Sequence, residues 1–424
     1  MTALLLFVAF IVLIFFGLPV AFSLGVSSLL YLFVEDISLS IVAQRMYSGI
    51  DSFTLVSIPG FILAGNLMNT GGITKRIIAF ANAIFGFIRG GLSLANIGAS
   101  MLFAGISGTA LADTASIGAM LIPAMKEEGY EADFASAVTA SSSTVGPIIP
   151  PSLPMIIAGT LTGISVGKLF IAGAIPGIIL GLSMMVVSYI ISVKRGHPKG
   201  ERKSIGYVLN TFKDAVWAIG LTVLILYGIL SGAFTPTEAS IIAVVYAVIV
   251  GKFIYKDLKF SQLPGSIIES VKMSAAIMIL VGFANLFAWI LASEQIPQMI
   301  ARGILSISTN KIIVILLINL LLLFVGTFME TIAALIILFP VLLPVAISIG
   351  LDPIQFGVMA VLNLVIGLTT PPVGVCLFVA SSIGDVPLIK ISKAVLPFLA
   401  VSLAVLMLVS FVPAISLFLP SLFN

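Results

Sequence analysis

The residues best suited to chemistry sit inside apolar runs. Ser107, Gly108 and Thr109 interrupt one run, and the stretch from Ser141 to Pro151, with Thr144 and Gly146, interrupts the next. Gly326 to Thr331 and Asn363 to Pro372 repeat the pattern further along. Ser, Thr, Gly and Pro loosen helices, and in lipid an unpaired backbone group costs several kcal/mol. Such breaks persist only where they are buried in protein or line a water-filled site. Freed carbonyls and hydroxyls there supply the oxygen ligands that a hard cation such as Na⁺ takes. Half-helix N-termini turn partial positive charge toward a carboxylate. One cation site is therefore expected at Ser107, Gly108, Thr109, Thr144 and Gly146, and a second at Gly326, Thr327, Asn363, Gly367, Thr369 and Thr370.

Asp113 and Glu330 lie beside two of these breaks. An acid inside a membrane is a functional candidate by default. We place both on the substrate side of the site, with Ser141 and Ser142. Each acid could instead bind a cation, carry a proton, or serve as a cap or network partner. The serines could equally satisfy loosened backbone. No Lys or Arg falls in any of the four breaks, so dipoles and hydroxyls would have to hold an anion.

The elements that position these residues occur twice. Adding 221 to Gly105, Pro123, Gly129, Gly146, Pro150, Pro151, Gly163 and Pro176 gives Gly326, Pro344, Gly350, Gly367, Pro371, Pro372, Gly384 and Pro397, the same residue type each time. Scattered Gly and Pro do not match at one fixed offset by accident, so the chain reads as a duplication. The first repeat covers 1–213: scaffold and arm helices 1–89, a hairpin and broken helix 90–163, then a span and basic loop 164–213. The second covers 214–424, divided at 214–303, 304–384 and 385–424.

Composition gives the class. Of 424 residues, 60% are hydrophobic and 9% charged, against about 25% charged in soluble proteins. This is a polytopic membrane protein. Its net charge of +3 reflects orientation in the membrane and not nucleic-acid binding. The single Cys, Cys376, reads as a small core residue, and the single His, His197, as a solvated residue of the basic loop KRGHPKGERK. The N-terminal run lacks a basic n-region and a cleavage site, so it reads as a retained helix. There is no Walker A motif and no HExxH, and no nucleophile is paired with a base. An enzyme is not expected, nor any cofactor beyond Na⁺ as coupling ion.

In order, Thr2 to Gly17 and Val20 to Val34 read as two crossings, matched by Ala215 to Ser231 and Ala239 to Tyr255. Ile37 to Ile50 and Leu258 to Lys272 read as amphipathic helices at the interface. Phe53 to Met68 and Met273 to Leu291 are the next spans. Gly90 to Gly105 and Ala110 to Met125 are short of the ~20 residues that span a bilayer. With Arg89 and Lys126 at their ends, they predict a re-entrant hairpin entered from the cytoplasm. Ala132 to Ser143 and Leu153 to Thr162 form a broken crossing, and Lys126 to Asp133 (KEEGYEAD) a solvated turn before it. Lys168 to Val193 crosses again. In the second half a hairpin over Ile312 to Ile347 turns at Gly326 to Thr331. Phe356 to Leu364 and Val373 to Ser381 make the second broken crossing, and Val395 to Leu417 the last span. About five crossings separate the two hairpin bases. The number is odd, so the halves are inverted. Basic loops at 194–213, 252–259 and 390–393 agree, whereas Arg302 and Lys311 fall on the outer side. The fold class is thus all-α: two inverted-topology repeats with two re-entrant hairpins and two discontinuous helices.

At this level of detail SGTALADTASIGAMLIPAMKEEGY, GPIIPPS, TPTEA and GLTTPPVG resemble the large (DctM-type) membrane subunit of tripartite ATP-independent periplasmic (TRAP) transporters, over essentially the whole chain. The resemblance implies a fixed scaffold and a mobile, elevator-like transport domain holding both hairpins. It implies a bacterial inner-membrane location and Na⁺-driven uptake of an organic acid, either sialic acid (the slightly favoured choice) or a C4-dicarboxylate. Its implied partners are a small four-helix membrane subunit, expected as a separate chain, a periplasmic substrate-binding protein, and membrane lipid. The alternative is a stand-alone Na⁺- or H⁺-coupled carboxylate symporter that needs no binding protein.

Overall fold

The computed structural model describes residues 2–307 and 310–422, with the side chains of 2–4, 105–107, 297, 301 and 304–307 outside that description. The described residues are almost entirely helical. The chain opens with α1 (Thr2–Phe15) and α2 (Val20–Val34), parted at Gly17, whose φ of +86° ends the first helix. Then come α3 (Ser40–Ile50), α4 (Ser57–Thr70) and α5 (Ile73–Phe85). The first hairpin is α6 (Gly91–Ser107) and α7 (Ala110–Glu127), and the first broken crossing is α8 (Ala132–Ser143) and α9 (Leu153–Thr162). A long α10 (Val166–Arg195) closes the first half.

The second half runs α11 (Ile205–Leu230), α12 (Pro236–Ile249), α13 (Leu263–Ser293) and α14 (Ile296–Ile307). Its hairpin is α15 (Lys311–Phe328) and α16 (Thr331–Ser348), and its broken crossing α17 (Pro353–Gly367) and α18 (Val375–Gly384). It ends with α19 (Leu388–Ala394), α20 (Leu396–Phe411) and α21 (Pro413–Ser421). The offset of 221 carries α7 onto α16 end for end (Ala110 to Thr331, Glu127 to Ser348), and the other hairpin and broken-helix elements to within a few residues. Among the described residues seven helices are long and apolar enough to cross a membrane, or up to 9 if each of two bent pairs is one span.

Four expectations need correction. The Leu258 to Lys272 stretch is not a separate interface helix. Pro264 sits in the first turn of α13, where it is tolerated, and no Gly or Pro falls from Ser266 to Val281, so the helix continues for 31 residues. The last span is not one straight helix: α20 ends before Pro413, and α20 and α21 diverge by 61°. The amphipathic α5 and α14 were not anticipated; their apolar residues fall on one face at helical spacing, in stretches too short to read as spans. His197 is not solvated but 4% exposed.

The helices sort into two packed groups. One joins α2, α3 and α4 with α12 and α13, and α1 lies on α2. The other gathers both hairpins and both broken helices around α10 and α20. Within it the halves cross over: α7 packs on α18, and α16 on α9. The amphipathic α5 links the groups, lying on both α6 and α11.

Candidate functional site

The first tip is made by Gly108, whose φ of +66° is open to Gly without strain. Thr109 then caps α7, its Oγ1 accepting from Ala112 N at 3.3 Å. The side chain of Ser107 lies outside the described residues. One turn into α7, Asp113 is fully buried. Its carboxylate rests on the backbone of the first break: a side chain at Gly146 would run into Asp113 Oδ2. Gly108 lies on Leu153 at the start of α9 in the same way. Asp113 and Gly146, 33 residues apart in the chain, therefore meet in space.

The break itself unwinds through short three-residue turns. Thr144, Val145 and Gly146 donate to the carbonyls of Ser141, Ser142 and Ser143. The Thr144 hydroxyl donates to Ser141 O at 2.6 Å and the Ser143 hydroxyl to Thr139 O at 2.8 Å. Ser152 restarts the helix, accepting from Met155 N and donating to Pro147 O. Pro150–Pro151 and the matching Pro371–Pro372 are both cis.

At the second tip the turn is only Met329 and Glu330; Gly326 and Thr327 still belong to α15. Glu330 caps α16, with Oε2 accepting from Ile332 N at 2.8 Å and Ala333 N at 3.4 Å. Gly326 and Gly367 pack backbone to backbone: a Cβ on Gly367 would lie 2.5 Å from Gly326 C. Thr327 O accepts from Gly374 N at 3.1 Å, which ties the tip to the far side of the break. Thr369 and Thr370 both donate their hydroxyls to Ile366 O, at 3.0 and 2.9 Å.

Ser142 and Asn363 share one register position, since 142 and 221 make 363. Both fasten the first half of their broken helix to the outer arm of their own hairpin. The Ser142 hydroxyl is bonded to Ser100 at 2.9 Å and donates to Asn96 Oδ1 at 3.4 Å. Asn363 Nδ2 donates to Asn319 O and Oδ1 at 2.9 and 2.8 Å. Three buried oxygens beside the breaks, Ser141 Oγ, Asn363 Oδ1 and Thr331 Oγ1, have no hydrogen-bond partner among the described residues. Buried acceptors are nearly always satisfied, so each of these oxygens is open to a hard cation at its own break. Thr331 fell within the expected turn but was not chosen as a ligand; the structure places it at the first position of α16.

The two half-sites meet through α18. Cys376 is buried on α18, the helix that packs on α7, which carries Asp113. The sequence read it only as core. Its position at the α7–α18 contact has no signal in the local pattern.

At the base of the first hairpin, His197 lies 4.7 Å from the ring centres of both Tyr130 and Phe134. Its Nε2 is 2.6 Å from Glu131 Oε2 and its Nδ1 3.1 Å from Ser192 Oγ. Arg195 adds ion pairs to Glu131 and Asp133 at 3.5 and 3.6 Å. Burial pushes the Glu131 carboxyl up, but the bond from His197, its own backbone N–H and the charges of His197 and Arg195 outweigh this and leave it below the usual carboxylate value. The expected solvated turn is therefore a packed clasp, with Tyr130 4% exposed.

Residues 7–415 match the family model "Tripartite ATP-independent periplasmic transporter, DctM component". The chain is 44% identical over 415 residues to the sialic acid TRAP transporter large permease protein SiaM of Vibrio cholerae, covering 97% of this chain and 96% of that one. It is 43% identical over 401 residues to the C4-dicarboxylate TRAP transporter large permease protein DctM of Pseudomonas aeruginosa, covering 94% of each. Its fold is similar to the crystal structure of the YdaH transporter of Alcanivorax borkumensis, with a TM-score of 0.62 at 13% identity over 93% of this chain and 89% of that one.

Proposed function

Since the chain belongs to the DctM component family of TRAP transporters, as a large permease of the bacterial inner membrane and not an enzyme, we propose that it couples the uptake of a carboxylate to Na⁺ at its four helix breaks. The observation that carries this reading is the set of partnerless buried oxygens at Ser141, Asn363 and Thr331, each beside one of the breaks or tips. In this reading Na⁺ is held on one side by Thr144 and the carbonyls around Gly146, and on the other by the carbonyls around Gly326 and Gly367 with Asn363 and Thr369. Asp113 and Glu330 set the charge of the shared pocket. The N-termini of α7, α9 and α16 face the substrate carboxylate, in keeping with the absence of Lys and Arg from the breaks.

The two packed groups suit an elevator: the hairpin group moves against the α2–α4, α12 and α13 group, with the halves inverted in the membrane. The energy suffices. One charge moving through about 100 mV gains ~2.3 kcal/mol, and a tenfold gradient adds ~1.4 kcal/mol. Two Na⁺ then supply roughly 7 kcal/mol against the ~2.3 kcal/mol that a monoanion costs on the way in. The partners in this reading are a small membrane subunit and a periplasmic binding protein that delivers sialic acid or a C4-dicarboxylate.

The test is uptake into proteoliposomes holding this chain and its small subunit, under an inward Na⁺ gradient. Labelled sialic acid and succinate are each offered with and without the cognate binding protein. Uptake requiring both Na⁺ and the binding protein supports the proposal and names the substrate. Equal uptake without the binding protein makes the chain a stand-alone symporter. Uptake indifferent to Na⁺ overturns the coupling.

A further inference from the structure

The two hairpins are not equally covered. The outer arm of the first, α6, is buried from Gly91 to Ser100 beneath α5, α7, α8 and α10. The outer arm of the second, α15, packs chiefly on α17 and α16, both on its inner side. Its other face carries Ile312, Leu316, Leu320, Phe324 and Phe328, spaced four apart and all exposed. That spacing makes one continuous stripe along a helix. In a chain that crosses the membrane, a bare apolar stripe of this kind is solvated by acyl chains.

At the outer end of the stripe the surface opens into a crevice of about 490 Å³. Its floor is Ile315 and Leu351, at 1% and 3% exposure, and its far wall is Phe411 and Pro413 at the α20–α21 bend. Gln355 also lines it, but its amide is spent on the carbonyls of Val409 and Ser410 at 3.0 and 3.1 Å, so little polar surface faces the cavity. Lys311 stands at the mouth. Its ammonium gives one hydrogen bond to Gly350 O at 2.8 Å, and an ammonium carries three donors. Asp352, two residues beyond Gly350, is committed to capping α17, with Oδ1 accepting from Ile354 and Gln355 N.

From this juxtaposition we propose that the crevice at the base of the second hairpin binds one anionic glycerophospholipid of the outer leaflet, with its phosphate on Lys311 and one acyl chain on Ile315 and Leu351. Charge complementarity selects the head, and the apolar walls select the tail. The site also accounts for Lys311 as one of the outer-side cations that break the positive-inside pattern. The reading needs the chain to span a membrane with the base of the second hairpin on the outer side, the inverted topology proposed above, and it stands or falls apart from Na⁺ coupling.

The experiment is native mass spectrometry of the purified full chain, titrated with phosphatidylglycerol and with phosphatidylcholine of the same acyl chains. Glycerophosphoglycerol and inorganic phosphate serve as tail-less competitors. One phosphatidylglycerol should be retained in preference to phosphatidylcholine. Lys311→Gln should weaken it about fivefold, the order expected of one lysine at an anionic headgroup, and Lys311→Arg should preserve it. Ile315→Trp, which fills the crevice and spares Lys311, should abolish retention; Leu351→Phe replaces it if that variant does not fold. Equal retention of the two lipids overturns the proposal, as does indifference to both the lysine and the crevice variants. Displacement by the tail-less anions, or Lys311-dependent capture of the periplasmic binding protein at this face in place of lipid, overturns it too.

Discussion

Gly367→Ala is the sharpest test of how the second half-site is built. The added methyl group would lie 2.5, 2.6 and 2.8 Å from the C, Cα and O atoms of Gly326, where ordinary contact begins at 3.4 Å. All three are backbone atoms, so no rotamer change relieves the clash, and tip and break must part by about 0.9 Å, the difference between 3.4 and 2.5 Å. Overpacking of this kind costs about 1–3 kcal/mol, and a displacement of ~1 Å at a positioned site costs on the order of 100-fold in function. Na⁺-driven uptake in proteoliposomes should therefore fall by roughly 30- to 100-fold, with the Na⁺ concentration for half-maximal rate raised. Gly326→Ala meets Leu364 O at 3.0 Å as its nearest neighbour and should be milder. Gly265→Ala, with nothing within 4 Å, should match the parent. Each protein's thermal unfolding is followed alongside to separate a displaced site from a lost fold. Wild-type Na⁺ dependence in Gly367→Ala, or equal damage from Gly265→Ala, would refute the reasoning.

The remaining expectations concern charge and hydrogen bonding. Asp113→Asn and Glu330→Gln should each lower Na⁺-coupled uptake more than tenfold, and Glu330→Gln should also weaken the cap of α16 by about 1 kcal/mol, seen as a lower unfolding temperature. Asn319→Ala strips the side-chain acceptor from the Asn363 amide, leaving only the backbone carbonyl, and should destabilise by about 1–3 kcal/mol, whereas Asn310→Ala in the preceding loop serves as a control for local capping. Glu131 is held below its usual value, so its clasp with His197 is fully formed above the ordinary carboxylate pKa and is lost as the pH falls through the lowered one. The unfolding temperature should drop on that acid limb, and Glu131→Gln should remove this part of the pH dependence.

Much of the site was legible because breaks in apolar runs are loud. Ser, Thr, Gly and Pro at Ser107 to Thr109 and Ser141 to Pro151 stand out against lipid-compatible sequence, and the ends of α8 and α9 fall where the composition changes. The duplication then located their counterparts. What stayed hidden depends on distance across the fold. Nothing near His197 in sequence announces the Tyr130 and Phe134 rings that bury it. Ser142 and Asn363 carry polar groups that suit a ligand site, yet their amide and hydroxyl bonds run to Ser100, Asn96 and Asn319 on neighbouring helices. Residues 258–272 were read as interfacial from their mixed polarity, whereas helix continuity is decided by Pro264 lying in the first turn and by the lack of Gly or Pro from Ser266 to Val281.

The crossing-over of the two halves has a consequence for how the protein is made. Lys126, at the end of the first hairpin, donates to Gly384 O at 3.0 Å across 258 residues of chain, and α7 packs on α18. At ~5–20 residues per second, synthesis reaches that partner roughly 13 to 50 s after Lys126 has left the ribosome. During that interval a buried acid, Asp113, and a polar tip are already in the membrane without the helix that finally encloses them. The nascent first half must be sheltered by something else, whether water held at the translocon, a chaperone, or a provisional packing on α8. A duplicated ancestor could bury its hairpin against a second copy of itself. The fused chain has turned that encounter between molecules into a wait within one.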